Sequence, residues 1–190
     1  MNRRELLLGA SALLLTARAR AQPEQPAALW SELERGGVVL LLRHAQTEAG
    51  VGDPPGFRIG DCSTQRNLSD EGRRQARRIG AALAARPVRI DQVLSSQWCR
   101  CLDTARLAFP KVVVEPYPAL NSFFEDRATE PQQTREAAAR IAAVRAPANV
   151  VFVTHQVNII ALAGVSVAPG EAVLARSAGG SVRVLGRLAL

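Results

Sequence analysis

A chain of 190 residues has the length of one domain and can bury a sizeable core, and its 47% apolar content excludes disorder as the starting expectation. It carries 24 Lys and Arg against 17 Asp and Glu, a formal charge of +7, and 23 of the 24 basic residues are arginine. That modest excess does not demand nucleic acid. An arginine cluster around a small anionic substrate accounts for it equally well.

Residues 1–21 read as a signal peptide. MNRREL is a short basic start, LLLGASALLLTA is an apolar core, and Ala19-Arg20-Ala21 fits the small-residue cleavage pattern. The apolar core is too short for a stable spanning helix. Arg3-Arg4 followed by Glu5-Leu6-Leu7 has the form of a twin-arginine export address, with the general secretory route as the alternative. Removal takes four arginines (3, 4, 18 and 20) and Glu5, so the formal charge falls by three, from +7 to +4. The mature chain is expected to begin near Gln22, to work in the periplasm and to hold no stable membrane insertion.

Residues 22–37 read as a linker and a short helix over 27–35, closed by Gly36-Gly37. The remainder, 38–190, reads as the main domain. Val38 to Leu42 is a continuous apolar run suited to a strand buried on both faces. Gly50 to Gln65 reads as a loop. Ser69 is a good N-cap, with Asp70 and Glu71 in the first turn of a helix that stops before Pro87. A strand over 92–95, a helix over 97–109 and a strand over 111–115 follow. The stretch 116–131 reads as irregular and carries Phe123-Phe124. It leads into an alanine-rich helix over 132–146, a second apolar strand over 149–154 and a short helix over 157–164. Strands over 171–176 and 181–188 flank Gly179-Gly180 as a hairpin. Strands alternating with helices argue for an α/β sandwich on a mostly parallel sheet, with ligands outside the carboxyl ends of the strands.

Export makes a disulfide among Cys62, Cys99 and Cys101 reasonable. Cys99 and Cys101 point apart on a helix, so Cys62 is expected to pair with one of them. Zinc is not expected, because no Cys-x-x-Cys is present and the histidines have other work.

The only two histidines, His44 and His155, both stand at the carboxyl ends of expected buried strands. Arg43 precedes the first. Arg100 falls in the first turn of a helix after a strand, where free N–H groups and a guanidinium fork suit an anion. RHAQT, NLSDEGRRQA, SSQWCRCLDTA and VTHQVNI, in this order, resemble the motifs of the histidine phosphatase superfamily, branch 1. The resemblance covers nearly the whole mature chain. It implies a phosphoglycerate mutase-like three-layer α/β/α sandwich with a mostly parallel central sheet, and an enzyme that needs no cofactor and no metal.

The resemblance also implies roles. His44 attacks phosphorus and becomes a phosphohistidine, while Arg43, Arg100 and His155 hold the phosphoryl oxygens. Neighbouring positive charge keeps His44 neutral, and its other ring nitrogen is expected to donate to a backbone carbonyl. Thr47 and Arg66 are further candidates for substrate binding. Two departures stand out. Ala45 replaces the usual glycine, and in LNSFFED, Ser122 stands where many relatives carry the proton-donating glutamate. Glu125 is then the first candidate for the donor, with Asp126 as the alternative and as a further candidate for substrate binding. Glu48 and Asp53 rank behind them. Phe123 and Phe124 either wall the pocket or plug the core.

The substrate expected is a small phosphorylated molecule or an envelope phosphate group, such as a lipopolysaccharide heptose phosphate. A phosphohistidine-protein phosphatase and a non-catalytic anion-binding domain of the same fold are the alternatives. A mutase is disfavoured by export and by the missing glutamate.

Overall fold

The computed structural model describes residues 26–190. The signal peptide expected over 1–21 lies outside the described residues, as does the linker as far as residue 25. Five helices and six strands follow in the order α1 (Pro26–Arg35), β1 (Val39–Arg43), α2 (Asp70–Ala84), β2 (Gln92–Ser95), α3 (Cys99–Ala108), β3 (Val114–Pro116), α4 (Glu130–Ala142), β4 (Val150–Thr154), α5 (Gln156–Ala163), β5 (Ala172–Ala178) and β6 (Ser181–Leu188). No helix among the described residues is long and apolar enough to cross a membrane.

The strands form one mixed sheet in the order β3-β2-β4-β1-β5-β6. The first four are parallel to one another, and β5 and β6 are antiparallel additions on the β1 side. The apolar run of β1 explains its central place. Leu40 and Leu42 pack on one face with Leu29 and Leu33 of α1, Ile79 and Leu83 of α2, and Ala105 of α3. Val39 and Leu41 pack on the other with Ile141 of α4 and Ile159 of α5. Successive side chains of a strand alternate between faces, so a strand buried on both sides must be apolar at every position. The result is the three-layer α/β/α sandwich. Leu29 and Leu33 join this core, so α1 packs with the residues from Val38 onward.

Two boundaries differ from expectation for reasons visible in the backbone. β3 is shorter and later, pairing only Val114 to Pro116 with β2. It is an edge strand, where a proline without an N–H is tolerated. α4 begins at Glu130 and takes Pro131 into its first turn, where a missing N–H costs nothing, and it ends four residues early, ahead of Pro147. The β5–β6 hairpin turns at Gly179 and Gly180, with φ of 57° and 82°. Positive φ at both central residues is what a two-residue turn joining twisted strands requires.

Candidate active site

β2, β4 and β1 are neighbours in the sheet, so their carboxyl ends lie side by side. Arg43 pairs in register with Thr154, and Ser95 with Val153. Beyond those pairs the chain is still held by the sheet: the His44 amide donates to Thr154 O at 3.0 Å and the Ser96 amide to Val153 O at 2.9 Å. Arg43 and His44 therefore leave β1 beside His155, which leaves β4. The two imidazole centroids are 5.4 Å apart. α3 starts directly after β2 and brings Arg100 to the same edge. Its Thr104 hydroxyl donates to Arg100 O at 2.7 Å and accepts from the Ala45 amide at 3.0 Å, tying the helix to the residue after His44. Thr104, in SSQWCRCLDTA, carries no expectation from the sequence, and this tie is its place in the site.

His44 is 5% exposed and His155 4%. His44 Nδ1 lies 2.9 Å from Ala45 O. A carbonyl only accepts, so Nδ1 carries the proton and Nε2 keeps its lone pair. Burial is the main cause that pushes the His44 pKa down to about 3; the Ala45 hydrogen bond opposes it, and Arg100, Arg43 and Arg66 add to it. His155 is held well below the ordinary imidazole value, first by burial, then by Arg100 and His44. Its Nε2 lies 2.8 Å from Ser96 Oγ and 3.4 Å from Cys101 Sγ. Both rings are neutral at pH 7, and His44 offers an unprotonated Nε2 to the cavity.

These depressed values have a stability consequence. Between the ordinary imidazole pKa of about 6.5 and the lowered folded values, the unfolded chain binds protons that the folded chain does not. Stability then rises with pH across that window, so it is lost as pH falls from about 6.5 towards 3 and is flat with respect to these groups above it. Denaturant titrations of the wild type should show this slope, and His44→Gln should make it shallower, leaving the share of His155. An equal slope in both proteins would contradict the buried neutral imidazole.

Arg100 and Asp53 form a buried ion pair, with side chains 5% and 4% exposed. Asp53 accepts from Arg100 Nη1 at 2.7 and 3.0 Å, from Trp98 Nε1 at 3.0 Å and from the Arg66 amide at 3.0 Å. Burial opposes its ionisation, but the hydrogen bond from Arg100 and then that from the Arg66 amide outweigh it and hold the carboxyl below the usual range. A carboxylate so committed is a poor proton donor, which removes Asp53 from the candidates for that role. Arg43 Nη1 donates to Val167 O at 2.7 Å and lies 3.5 Å from Gln156 Oε1, while its Nε is buried without a partner. Arg66 lines the cavity and grips the loop beside it, donating to Gly52 O at 2.8 Å, Gly50 O at 2.8 Å and Thr47 Oγ1 at 2.7 Å. Thr47 does not line the cavity. Its hydroxyl accepts from Arg66, so the structure sets it against an arginine of the cavity lining.

The cavity above these groups has a volume of about 720 Å³. His44, Arg43, Arg66, Arg100 and His155 line it, together with Ser122, Glu125 and Asp126. Ser122 is in the wall, so no carboxylate occupies the position of the usual glutamate. Glu125 is exposed, with its carboxylate close to Gly52. Asp126 accepts from the Ala128 amide at 3.1 Å and starts a short 3₁₀ turn over Arg127–Thr129. The two phenylalanines divide the roles expected of them: Phe123 is a core plug at 1% exposure, and Phe124, 54% exposed, lines the cavity.

Cys62 pairs with Cys99 at the first residue of α3. Cys101 is the free thiol, and burial pushes its pKa up to about 12, so it is an inert neutral neighbour of His155 rather than a nucleophile.

Histidine phosphatase superfamily (branch 1) sequences match the chain over residues 39–123, which hold Arg43, His44 and Arg100. The match spans 85 of the chain's 190 residues. No curated protein matches it by sequence. Among solved structures, the α-ribazole phosphatase from Shigella flexneri is 20% identical with a TM-score of 0.56, over 78% of this chain and 96% of that one. The mycobacterial glucosyl-3-phosphoglycerate phosphatase is 17% identical with a TM-score of 0.59, over 80% and 98%. The Agrobacterium tumefaciens protein assigned as the phosphohistidine phosphatase SixA is 21% identical with a TM-score of 0.56, over 80% and 97%. At these identities the likeness shows a shared fold, that of phosphoglycerate mutase-like phosphatases.

Proposed function

We propose that this chain is a member of the histidine phosphatase superfamily and an exported phosphatase that hydrolyses a phosphomonoester through a phosphohistidine on His44. One observation carries the reading: His44 is buried, neutral and proton-locked at Nδ1 by Ala45 O, so that Nε2 enters a cavity walled by Arg43, Arg66, Arg100 and His155. In the first step the Nε2 lone pair forms an N–P bond as the P–O bond to the leaving group breaks. The leaving oxygen takes the bonding electrons and a proton from Glu125. The phosphorylated ring then carries positive charge, which the Ala45 carbonyl stabilises through Nδ1–H. In the second step water attacks phosphorus, the N–P electrons return to Nε2, and Glu125 takes the proton from water. Arg43, Arg100 and His155 hold the equatorial oxygens, and Arg66 and Asp126 face the substrate from the cavity wall.

Export is part of the same proposal, supported by the signal-like residues 1–21 and by the Cys62–Cys99 disulfide. It favours an envelope phosphate group or another small phosphorylated molecule over a cytoplasmic substrate. Hydrolysis of p-nitrophenyl phosphate and of an alkyl phosphate panel by the chain from Gln22 tests the reaction. No turnover of any phosphorylated compound would leave an anion-binding domain.

A second reading is favoured by Ser122 in the donor position. A phosphoramidate or phosphoanhydride needs less help in leaving, so a protein phosphohistidine is a fitting substrate. Glu125→Gln separates the two. If Glu125 is the donor, the variant should lose about 10²-fold or more on alkyl phosphates and little on p-nitrophenyl phosphate or a phosphohistidine peptide. Equal losses on all three would remove Glu125 as the general acid.

A further inference from the structure

We infer that Asp53 is a positioning residue: its buried carboxylate fixes one nitrogen of Arg100 and thereby aims the rest of the guanidinium at the phosphoryl group. The catalytic half of this inference rests on the phosphatase reading; the binding half does not.

All the hydrogen bonds of the Arg100 guanidinium run through Nη1, to both oxygens of Asp53 and to Arg66 O at 3.4 Å. Its Nε is buried with no partner, although the residue is only 4% exposed. An N–H left this way is costly unless an acceptor arrives, and a phosphoryl oxygen in the cavity is such an acceptor. Asp53 is itself held from every side. Its four acceptances from Arg100, Trp98 and the Arg66 amide use the capacity of a carboxylate. The loop that carries it can turn inward because Gly52 adopts a φ of 70°. Arg66 grips that loop through the carbonyls of Gly50 and Gly52. Gln65 Oε1 accepts from the Cys99 amide at 2.9 Å, and the Cys62–Cys99 bridge adds a covalent tie between the following segment and α3. The arrangement is rigid around one arginine.

Charge gives Asp53 a second consequence. Three guanidinium groups line the phosphate end of the cavity, both histidines are neutral, and Asp53 cancels one positive charge. Without Asp53 the site would hold the dianionic product more tightly while aiming Arg100 less well.

The test is Asp53→Asn in the chain from Gln22, with binding of inorganic phosphate and of orthovanadate measured by calorimetry and with kcat and KM on p-nitrophenyl phosphate. Asparagine keeps the size but presents one acceptor oxygen and turns an NH₂ towards donors. Vanadate, which mimics the five-coordinate transition state, should bind about tenfold or more weakly, and kcat should fall by a similar factor. Phosphate affinity should stay within about threefold or tighten, because a negative charge has gone. Parallel weakening of phosphate and vanadate would reduce Asp53 to fold support and overturn the inference, as would two unchanged affinities. Trp98→Phe, which removes one donor to Asp53, carries the same comparison with a smaller effect in the same direction should Asp53→Asn fail to fold. If the wild type turns nothing over, the phosphatase reading fails, yet the vanadate-to-phosphate ratio still decides the role of Asp53.

Discussion

Replacing His44 with alanine is expected to lower kcat/KM on p-nitrophenyl phosphate by about 10⁴-fold or more, to the level left by binding and electrostatics alone. The reason is specific to this ring. Nδ1 is occupied by Ala45 O, His155 Nε2 is already in contact with Ser96 Oγ, and Cys101 is held as a neutral thiol. Among these groups only His44 presents a free, unprotonated nitrogen in the cavity. The fold should survive the change, because the single hydrogen bond lost is local, to the next residue. Added imidazole should restore part of the rate by filling the vacated space. A variant within tenfold of the wild type would mean that water attacks phosphorus directly.

Arg100→Lys should cost about 10²- to 10³-fold in kcat, comparable to removal of one preorganised donor from an oxyanion site. Lysine keeps the charge beside Asp53 but loses the planar fork that serves the carboxylate and the phosphoryl group at once. Alanine is less informative. It would leave the Asp53 carboxylate buried and unpaired, which destabilises proteins by about 3–5 kcal/mol, and folding and catalysis would fail together. The double variant Arg100→Lys, Asp53→Asn should be much less damaged than the product of the single effects, since the two residues act as one unit. Multiplicative losses would argue that Asp53 and Arg100 act separately.

The sheet was legible because its strands are extreme in pattern. VVLLL and VVFV are apolar at every position, as a strand buried on both faces requires, and a histidine stands two residues after the end of each. Arg43, His44, Arg100 and His155 follow from those strand ends and from the motif order, and they meet at one edge because β2, β4 and β1 are adjacent. The loops were not legible in the same way. Asp53 sits in GDPPG, a turn-rich stretch with no periodicity, and nothing local announces that its side chain turns inward to Arg100. Thr47 follows the same rule, since its partner Arg66 lies 19 residues away. Pairing of Cys62 with Cys99 rather than Cys101 depends on how that loop meets the first turn of α3, a tertiary matter. Phe123 and Phe124, adjacent in sequence, separate into core and cavity because the irregular segment points one of them each way.

The most direct test of the account is to trap the intermediate. The chain from Gln22 is mixed with a rapidly hydrolysed phosphomonoester, quenched in alkali during the first turnovers, and examined by peptide mapping and ³¹P NMR. The account predicts phosphate on His44 in the Nε2 isomer, stable in alkali, lost in acid and absent from His44→Ala. Turnover without label on His44, or label on its Nδ1, would contradict it.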